Sequence, residues 1–295
     1  MRRARLLRAF TRFYPLYSGL GTLASSRPFL RVLSGEQGLH WANLRCGARI
    51  LVPIDDFVGR ALYFFGDLDP KLSWICQRLL RPGDTVLDIG ANLGLVSLVA
   101  RTLVGASGSV HAFEPQPELV ELIRQSARAN GFDDIVVHPL ALAEADSTLE
   151  MFVPLGNRGA ASLTRKHLDV GRTVSVPVRN ASDYFASLDL GPIRLVKIDV
   201  EGHEAHVIRG SERYFGVNRP DAIVFELNDH TLPFDEQPVV QELRGLDYEC
   251  LTIPKALTRV RVQRIDARTR KFGHDVLAVA RGDRHARILH SLGAD

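Results

Sequence analysis

Cysteine is scarce in this 295-residue chain: Cys46, Cys76 and Cys250 stand far apart, and no CxxC spacing occurs. That excludes a zinc knuckle or a dithiol redox pair and points to reduced, structural thiols in a cytoplasmic protein. Lysine is also rare, at 71, 166, 197, 255 and 271 only, and arginine carries the rest of the positive charge. We read that bias as coding preference, not chemistry. No apolar run approaches the roughly 18 residues of a spanning helix, and the N-terminal segment lacks the unbroken apolar core of a secretory signal. A large excess of one charge is missing too: the net charge is +3, with both signs interspersed along the chain. Such a balance does not suggest a nucleic-acid partner, which calls for a concentrated basic face.

What remains is the composition of an ordinary soluble globular protein, and the length fits one large α/β domain with an N-terminal extension better than two full domains. Leu6, Leu7, Phe10, Phe13 and Tyr14 recur at helical spacing among Arg2, Arg3, Arg5, Arg8 and Arg12, and Pro15 closes the run. Two readings stand: a helix packed on its own domain or on a second subunit of a homo-oligomer, or weak contact of residues 1–18 with an anionic membrane surface. The second reading would make the protein peripheral to the membrane.

From residue 85 the pattern alternates. Thr85 to Ile89, Ser109 to Phe113, Ile135 to His138, Arg194 to Ile198, Ala222 to Phe225, Tyr248 to Ile253 and Asp275 to Ala280 read as strands. Helical stripes lie between several of them, with Gly131 closing the helix from Glu118 to Asn130. Alternation of this kind predicts a doubly wound, mostly parallel sheet with helices on both faces. The expected division is a helical extension over residues 1–54 and a catalytic domain over 55–295. Within the latter, residues 139–193 break the rhythm and form an insertion over the site.

Ligands of doubly wound sheets sit beyond the carboxyl ends of the strands, so the turn after the first strand comes first. Gly90 and Gly94 permit a sharp strand-to-helix bend and a close backbone approach, and Glu114 closes the second strand, placed to accept from ribose hydroxyls. A dinucleotide fingerprint begun at Gly90 needs glycines at 92 and 95, where this chain has Asn92 and Leu95. An acidic Asp88 ahead of the turn suits a cofactor with a cationic end, and S-adenosylmethionine is such a cofactor.

Three stretches then become recognisable: Leu87-Asp88-Ile89-Gly90-Ala91-Asn92-Leu93-Gly94, Ala112-Phe113-Glu114-Pro115, and Lys197-Ile198-Asp199-Val200-Glu201-Gly202-His203-Glu204. In residues and spacing they closely resemble the FkbM-type S-adenosylmethionine-dependent methyltransferases. The resemblance implies a Rossmann-like class I methyltransferase fold, seven strands with a reversed last strand, and O-methylation of a hydroxyl on a sugar, glycan or natural product. It implies Gly90, Asn92, Gly94 and Glu114 as cofactor contacts, Ala141 and Leu142 near the adenine, and Asp199 beside the methionine end. Asn180-Ala181-Ser182-Asp183 departs from the apolar-acidic pair that usually opens a helix in the family.

Methyl transfer to a hydroxyl needs an aligned acceptor and a group to take its proton. Asp199, Glu201 and His203 leave the fourth strand together, and Glu226 leaves the fifth with Asn228. Glu201 is the first choice of general base; capping the following helix is its alternative. His203 titrates near neutrality, which suits a base, although a free surface position is the plainer reading. Glu226, Asn157 and Ser162 are candidate acceptor contacts. No metal-ligand frame such as HExxH is present, so no metal is expected. The rival functions are an NAD-type oxidoreductase and a non-catalytic, membrane-associated protein retaining a nucleotide-binding fold.

Overall fold

The computed structural model describes residues 2–11, 14, 17–163, 170–227, 231–254, 257–265 and 272–294. Asn228, named above beside Glu226, lies outside them, as does part of the 1–18 segment.

Seven strands make the body of the main sheet: β1 (Thr85–Ile89), β2 (Ser109–Phe113), β3 (Val136–His138), β4 (Ile193–Ile198), β5 (Ala222–Glu226), β6 (Tyr248–Thr252) and β7 (Asp275–Ala280). Their order is β3-β2-β1-β4-β5-β7-β6, and a two-residue strand, Gln263–Arg264, adds an eighth member beside β6. All pairings from β3 to β5 are parallel, while β7 runs antiparallel to both β5 and β6. The last strand is therefore the reversed one and slots between its two predecessors. β1 through Val86, Leu87 and Ile89 is buried along its whole length, as a central parallel strand with both faces covered must be. Helices Pro70–Leu79, Leu95–Val104, Pro117–Ala129 and His285–Leu292 supply buried residues to one core cluster, and Ala181–Ala186, Glu204–Val217 and Pro238–Gly245 to the other.

The N-terminal segment is not wholly helical, contrary to the expectation. It carries an antiparallel hairpin, Leu39–Asn43 with Arg49–Pro53, followed by the helix Phe57–Phe65. Nor does it stand apart at residue 54. Leu51 N–H donates to Ser126 Oγ (3.0 Å) and Arg49 N–H to Asn130 Oδ1 (2.7 Å), which fastens the hairpin to the helix after β2. Ala4, Leu20, Ala24 and Phe29 share one buried cluster with residues of β1 and β2.

Residues 139–193 hold a second sheet, in the order Ala141–Ala143, Gly171–Asn180, Ser147–Pro154. Helix Ala181–Ala186 opens on Asn180, whose Oδ1 accepts from Asp183 N–H at 2.9 Å. Asparagine is a favoured N-cap, so this helix start is an ordinary one.

Candidate active site: two cavities meeting at Asn92 and Asp199

The strand order reverses between β1 and β4, so their carboxyl ends diverge and leave a crevice. The turn after β1 is held to β2 by Gly90 and Ala91 N–H, both donating to the Phe113 carbonyl at 2.9 Å. Gly90 has φ +75°, and a Cβ there would overlap the Asp199 carbonyl. Only glycine lets β4 approach so closely. Asn92 and Glu201 also occupy the left-handed region, at φ +53° and +52°. Two non-glycine residues held there, both at strand tips of the crevice, mark a site whose backbone is fixed by its surroundings.

Two cavities open here. The smaller, about 60 Å³, is bordered by Gly90, Glu114, Ala141, Leu142, Glu201 and His203, among others. The larger, about 310 Å³, is bordered by Asp69, Lys71, Lys197, Glu226, His274 and Asp275, with Tyr17, Ser18 and Gly19 from the N-terminal segment. Asn92 and Asp199 border both.

The smaller cavity has the chemistry of a nucleoside site. Glu114 is buried; its Oε2 accepts from Asn92 N–H (2.8 Å) and its Oε1 from Gln116 N–H (2.9 Å), leaving a further lone pair on each oxygen. Burial pushes its carboxyl up to about 7, against those two amides and Lys197. Asn92 Oδ1 and Gln116 Oε1 are buried with no hydrogen-bond partner among the described residues. Buried acceptors of that kind are costly unless something donates to them, and a hydroxylated, amino-bearing cofactor fits. Leu140, Ala141, Leu142 and Phe113 give an apolar wall suited to an adenine ring. The insertion supplies the roof through Arg158, Gly159 and Ala161. Arg158 N–H donates to Asp56 Oδ2 (2.7 Å), while Asp56 Oδ1 caps helix Phe57–Phe65 through Val58 and Gly59 N–H.

Four residues named from the sequence stand elsewhere than expected. Asp88 borders neither cavity. It is fully buried, and its Oδ2 accepts from Ser97 N–H (2.9 Å) and Ser97 Oγ (2.6 Å), so it serves the start of helix Leu95–Val104. Gly94 also borders neither cavity; it makes the bend at φ +84°, packed against Ile123. Ser162 is buried and donates to the Glu201 carbonyl (2.7 Å), tying the insertion to the turn after β4 without bordering a cavity. Asn157 lies beside Gly159 in the roof and does not border a cavity.

His203 is not a free surface histidine. Its ring is buried and stacked on His206 at 4.3 Å, and burial first, then His206, brings it down to about 4. It is neutral at physiological pH. His206 bonds Glu144 (3.0 Å), and Glu204 Oε1 accepts from Val200 and Gly202 N–H, so both brace the turn. Glu201 borders the smaller cavity only, whereas Glu226 borders the larger. Glu226 is raised well above the usual carboxylate range, by burial and then by Asp199, Asp275, Glu201 and Asp69 around it.

Lys197 is the residue that the sequence reading passed over. It is buried at the end of β4, donates to the Gly90 carbonyl, and lies 3.5 Å from Asp88 Oδ1 and 3.6 Å from Asp199 Oδ2. Burial opposes its charge, but Asp199, Asp88 and Glu114 outweigh that and hold it protonated. Its place at the head of the Lys197 to Glu204 stretch was the signal, and a lone lysine in an apolar strand is easily read as an edge position.

Strand order, the glycine turn and the reversed last strand together define the Rossmann-like fold of class I methyltransferases. The family pattern described as the methyltransferase FkbM domain matches residues 88–250, more than half of the chain, and the chain belongs to that family. It is 29% identical over 160 residues to the 31-O-demethyl-FK506 methyltransferase FkbM of Streptomyces tacrolimicus, covering 45% of this chain and 61% of that one. It is 26% identical over 184 residues to Methyltransferase 1 of Beauveria bassiana, covering 56% of this chain and 73% of that one. Among solved structures, an S-adenosylmethionine-dependent O-methyltransferase from Thermotoga maritima aligns with a TM-score of 0.43 and 15% identity, over 74% of this chain and 67% of that one.

Proposed function

We propose that this methyltransferase acts on a hydroxyl group of a sugar, glycan or natural product, with the cofactor in the smaller cavity and the acceptor in the larger. The observation that carries this reading is that the two cavities meet only where Asn92 and Asp199 border both. An in-line displacement needs donor and acceptor on opposite sides of one short gap. The O-methyltransferase relative favours oxygen as the acceptor atom.

In this reading Glu114 accepts from the ribose hydroxyls, and Asp199, kept in place by Lys197, faces the cationic end of the cofactor. When bound, the cofactor supplies a methyl group on a positively charged sulfur. The chain positions the acceptor and removes its proton. Glu226 takes that proton in its ionised form: it faces the larger cavity, and burial and the neighbouring carboxylates, which disfavour its charge, make that form a stronger base than an ordinary glutamate and more populated as pH rises. Glu201 and His203 then belong to the cofactor side, where they shape the wall.

The test is calorimetry with S-adenosylhomocysteine, then mass spectrometry of extracts incubated with labelled cofactor. Glu226→Gln is expected to leave cofactor binding intact and lower turnover about a hundredfold or more. A folded protein that gives no heat with either form of the cofactor would sink the reading.

A further inference from the structure

The charge of this chain is segregated in a way its total conceals. The first 35 residues contain seven arginines (2, 3, 5, 8, 12, 27 and 31), no lysine and no acidic residue; the remainder holds 30 basic and 34 acidic residues. No other stretch of the sequence runs so long without an acidic residue.

At that place the apolar stripe of helix Arg2–Thr11 is divided in two. Ala4 is fully buried, Leu7 packs against the core, and Thr11 Oγ1 donates to the Phe64 carbonyl (2.6 Å). These residues, at 4, 7 and 11, hold the helix down. Leu6 and Phe10, one turn apart, point the other way and are 64% and 78% exposed. Arg8 ties the helix to the hairpin by donating to the Trp41 carbonyl (3.1 Å). That hairpin strand adds Leu39 and Trp41, 51% and 36% exposed, with the Arg49 guanidinium 4.7 Å above the indole. A helix already anchored by one face gains nothing for its fold from large apolar residues on the other.

We propose that helix Arg2–Thr11 and the hairpin strand Leu39–Asn43 form a docking face for an anionic phospholipid bilayer. Exposed apolar side chains on a helix whose sequence is rich in arginine and has no acidic residue match a surface with a hydrocarbon interior and negative headgroups. A second copy of the chain is disfavoured, because a two-fold contact would set one acid-free, seven-arginine segment against another. Nucleic acid would use the charge and leave Leu6 and Phe10 unexplained. Within a few residues of Phe10 the chain borders the larger cavity at Tyr17, Ser18 and Gly19. Docking thus holds that cavity within reach of acceptors at the lipid surface.

The test is co-sedimentation of the full chain with vesicles of phosphatidylcholine alone or mixed with phosphatidylglycerol. Partition is expected into the anionic vesicles, falling about tenfold or more as salt rises from roughly 0.1 M to roughly 0.5 M. Leu6→Ser with Phe10→Ser should lower it about tenfold at an unchanged melting temperature, since both side chains are exposed. Arg2→Glu with Arg3→Glu should do the same through charge. The proposal is overturned if the wild type stays in the supernatant, if it binds neutral vesicles equally well, or if the Leu6/Phe10 variant partitions like the wild type. It is also overturned if the protein ignores vesicles but forms a dimer that this variant abolishes, which would assign the face to a second copy.

Discussion

Replacing Lys197 by Met removes the one cation that Asp88 and Asp199 share while keeping most of the side chain's volume. At 3.5 Å and 3.6 Å the two carboxylates each gain about 4–5 kcal/mol of gross attraction at an effective dielectric of 20. Much of that is offset by the desolvation of Lys197, and Asp199 is partly exposed, so its share is discounted further. The net cost is set by Asp88, which has no exposure to solvent and would keep only its two bonds from Ser97. Breaking a buried pair by deleting one partner costs about 3–5 kcal/mol, equivalent to a fall of roughly 6–15 °C in melting temperature for a chain of this size. Adding Asp88→Asn should recover at least about half of the loss, because it removes the stranded charge. Urea and thermal melts of the two single variants and the double variant measure this directly. A Lys197→Met protein within about 1 kcal/mol of wild type, or no recovery in the double variant, would refute the reasoning.

Three further outcomes follow from the same geometry. Glu114 stands at about 7 in the folded protein against an ordinary 4.5, so between those values the native state binds more protons than the unfolded one; this group stabilises the free protein most below 4.5 and less as pH rises towards 7. If ribose hydroxyls donate to its ionised form, as proposed, calorimetry should show affinity for S-adenosylhomocysteine falling about tenfold from roughly pH 8 to roughly pH 6, with Glu114→Gln flattening the profile. Gly90→Ala combines left-handed strain with overlap on the Asp199 carbonyl and should cost more than about 3 kcal/mol in denaturant unfolding; Gly131→Ala has equal backbone sign but open space and should cost about 1–2 kcal/mol. The sequence carries no metal-ligand frame such as HExxH, so EDTA should leave turnover unchanged. Loss of turnover restored by magnesium would contradict that expectation.

The main sheet was legible because its strands are buried on both faces and write themselves as short apolar runs, as in Val86 to Ile89. The hairpin Leu39–Asn43 with Arg49–Pro53 was not. Its first strand exposes Leu39 and Trp41 and buries Ala42, so hydrophobicity runs against burial. Helix Phe57–Phe65 buries seven of its nine residues, so Arg60 is the one charged residue marking a polar face in its sequence. At the site, sequence spacing found the residues that border the cavities from strand tips, Glu114, Asp199 and Glu226. It misplaced Asp88, because whether an acidic residue before the turn faces the cofactor or the following helix depends on Ser97 behind it and on Lys197, far away in the chain. It could not divide Glu201 from Glu226, since two residues at neighbouring strand ends fall into different cavities only once the insertion has folded over one of them.

No helix among the described residues is long and apolar enough to cross a membrane. The larger cavity draws part of its wall from Tyr17, Ser18, Gly19, Val58, Leu68, Asp69, Lys71 and Leu72, all ahead of the stretch shared with the family, which begins at residue 88. The shared stretch builds the part of the machine that every member must have. If the acceptor occupies the larger cavity as proposed, part of its choice is written upstream of that stretch. Relatives with matching glycine turns can therefore diverge in acceptor without a change in the aligned region, and exchanging residues 17–72 between two members is the graft that should carry acceptor preference with it.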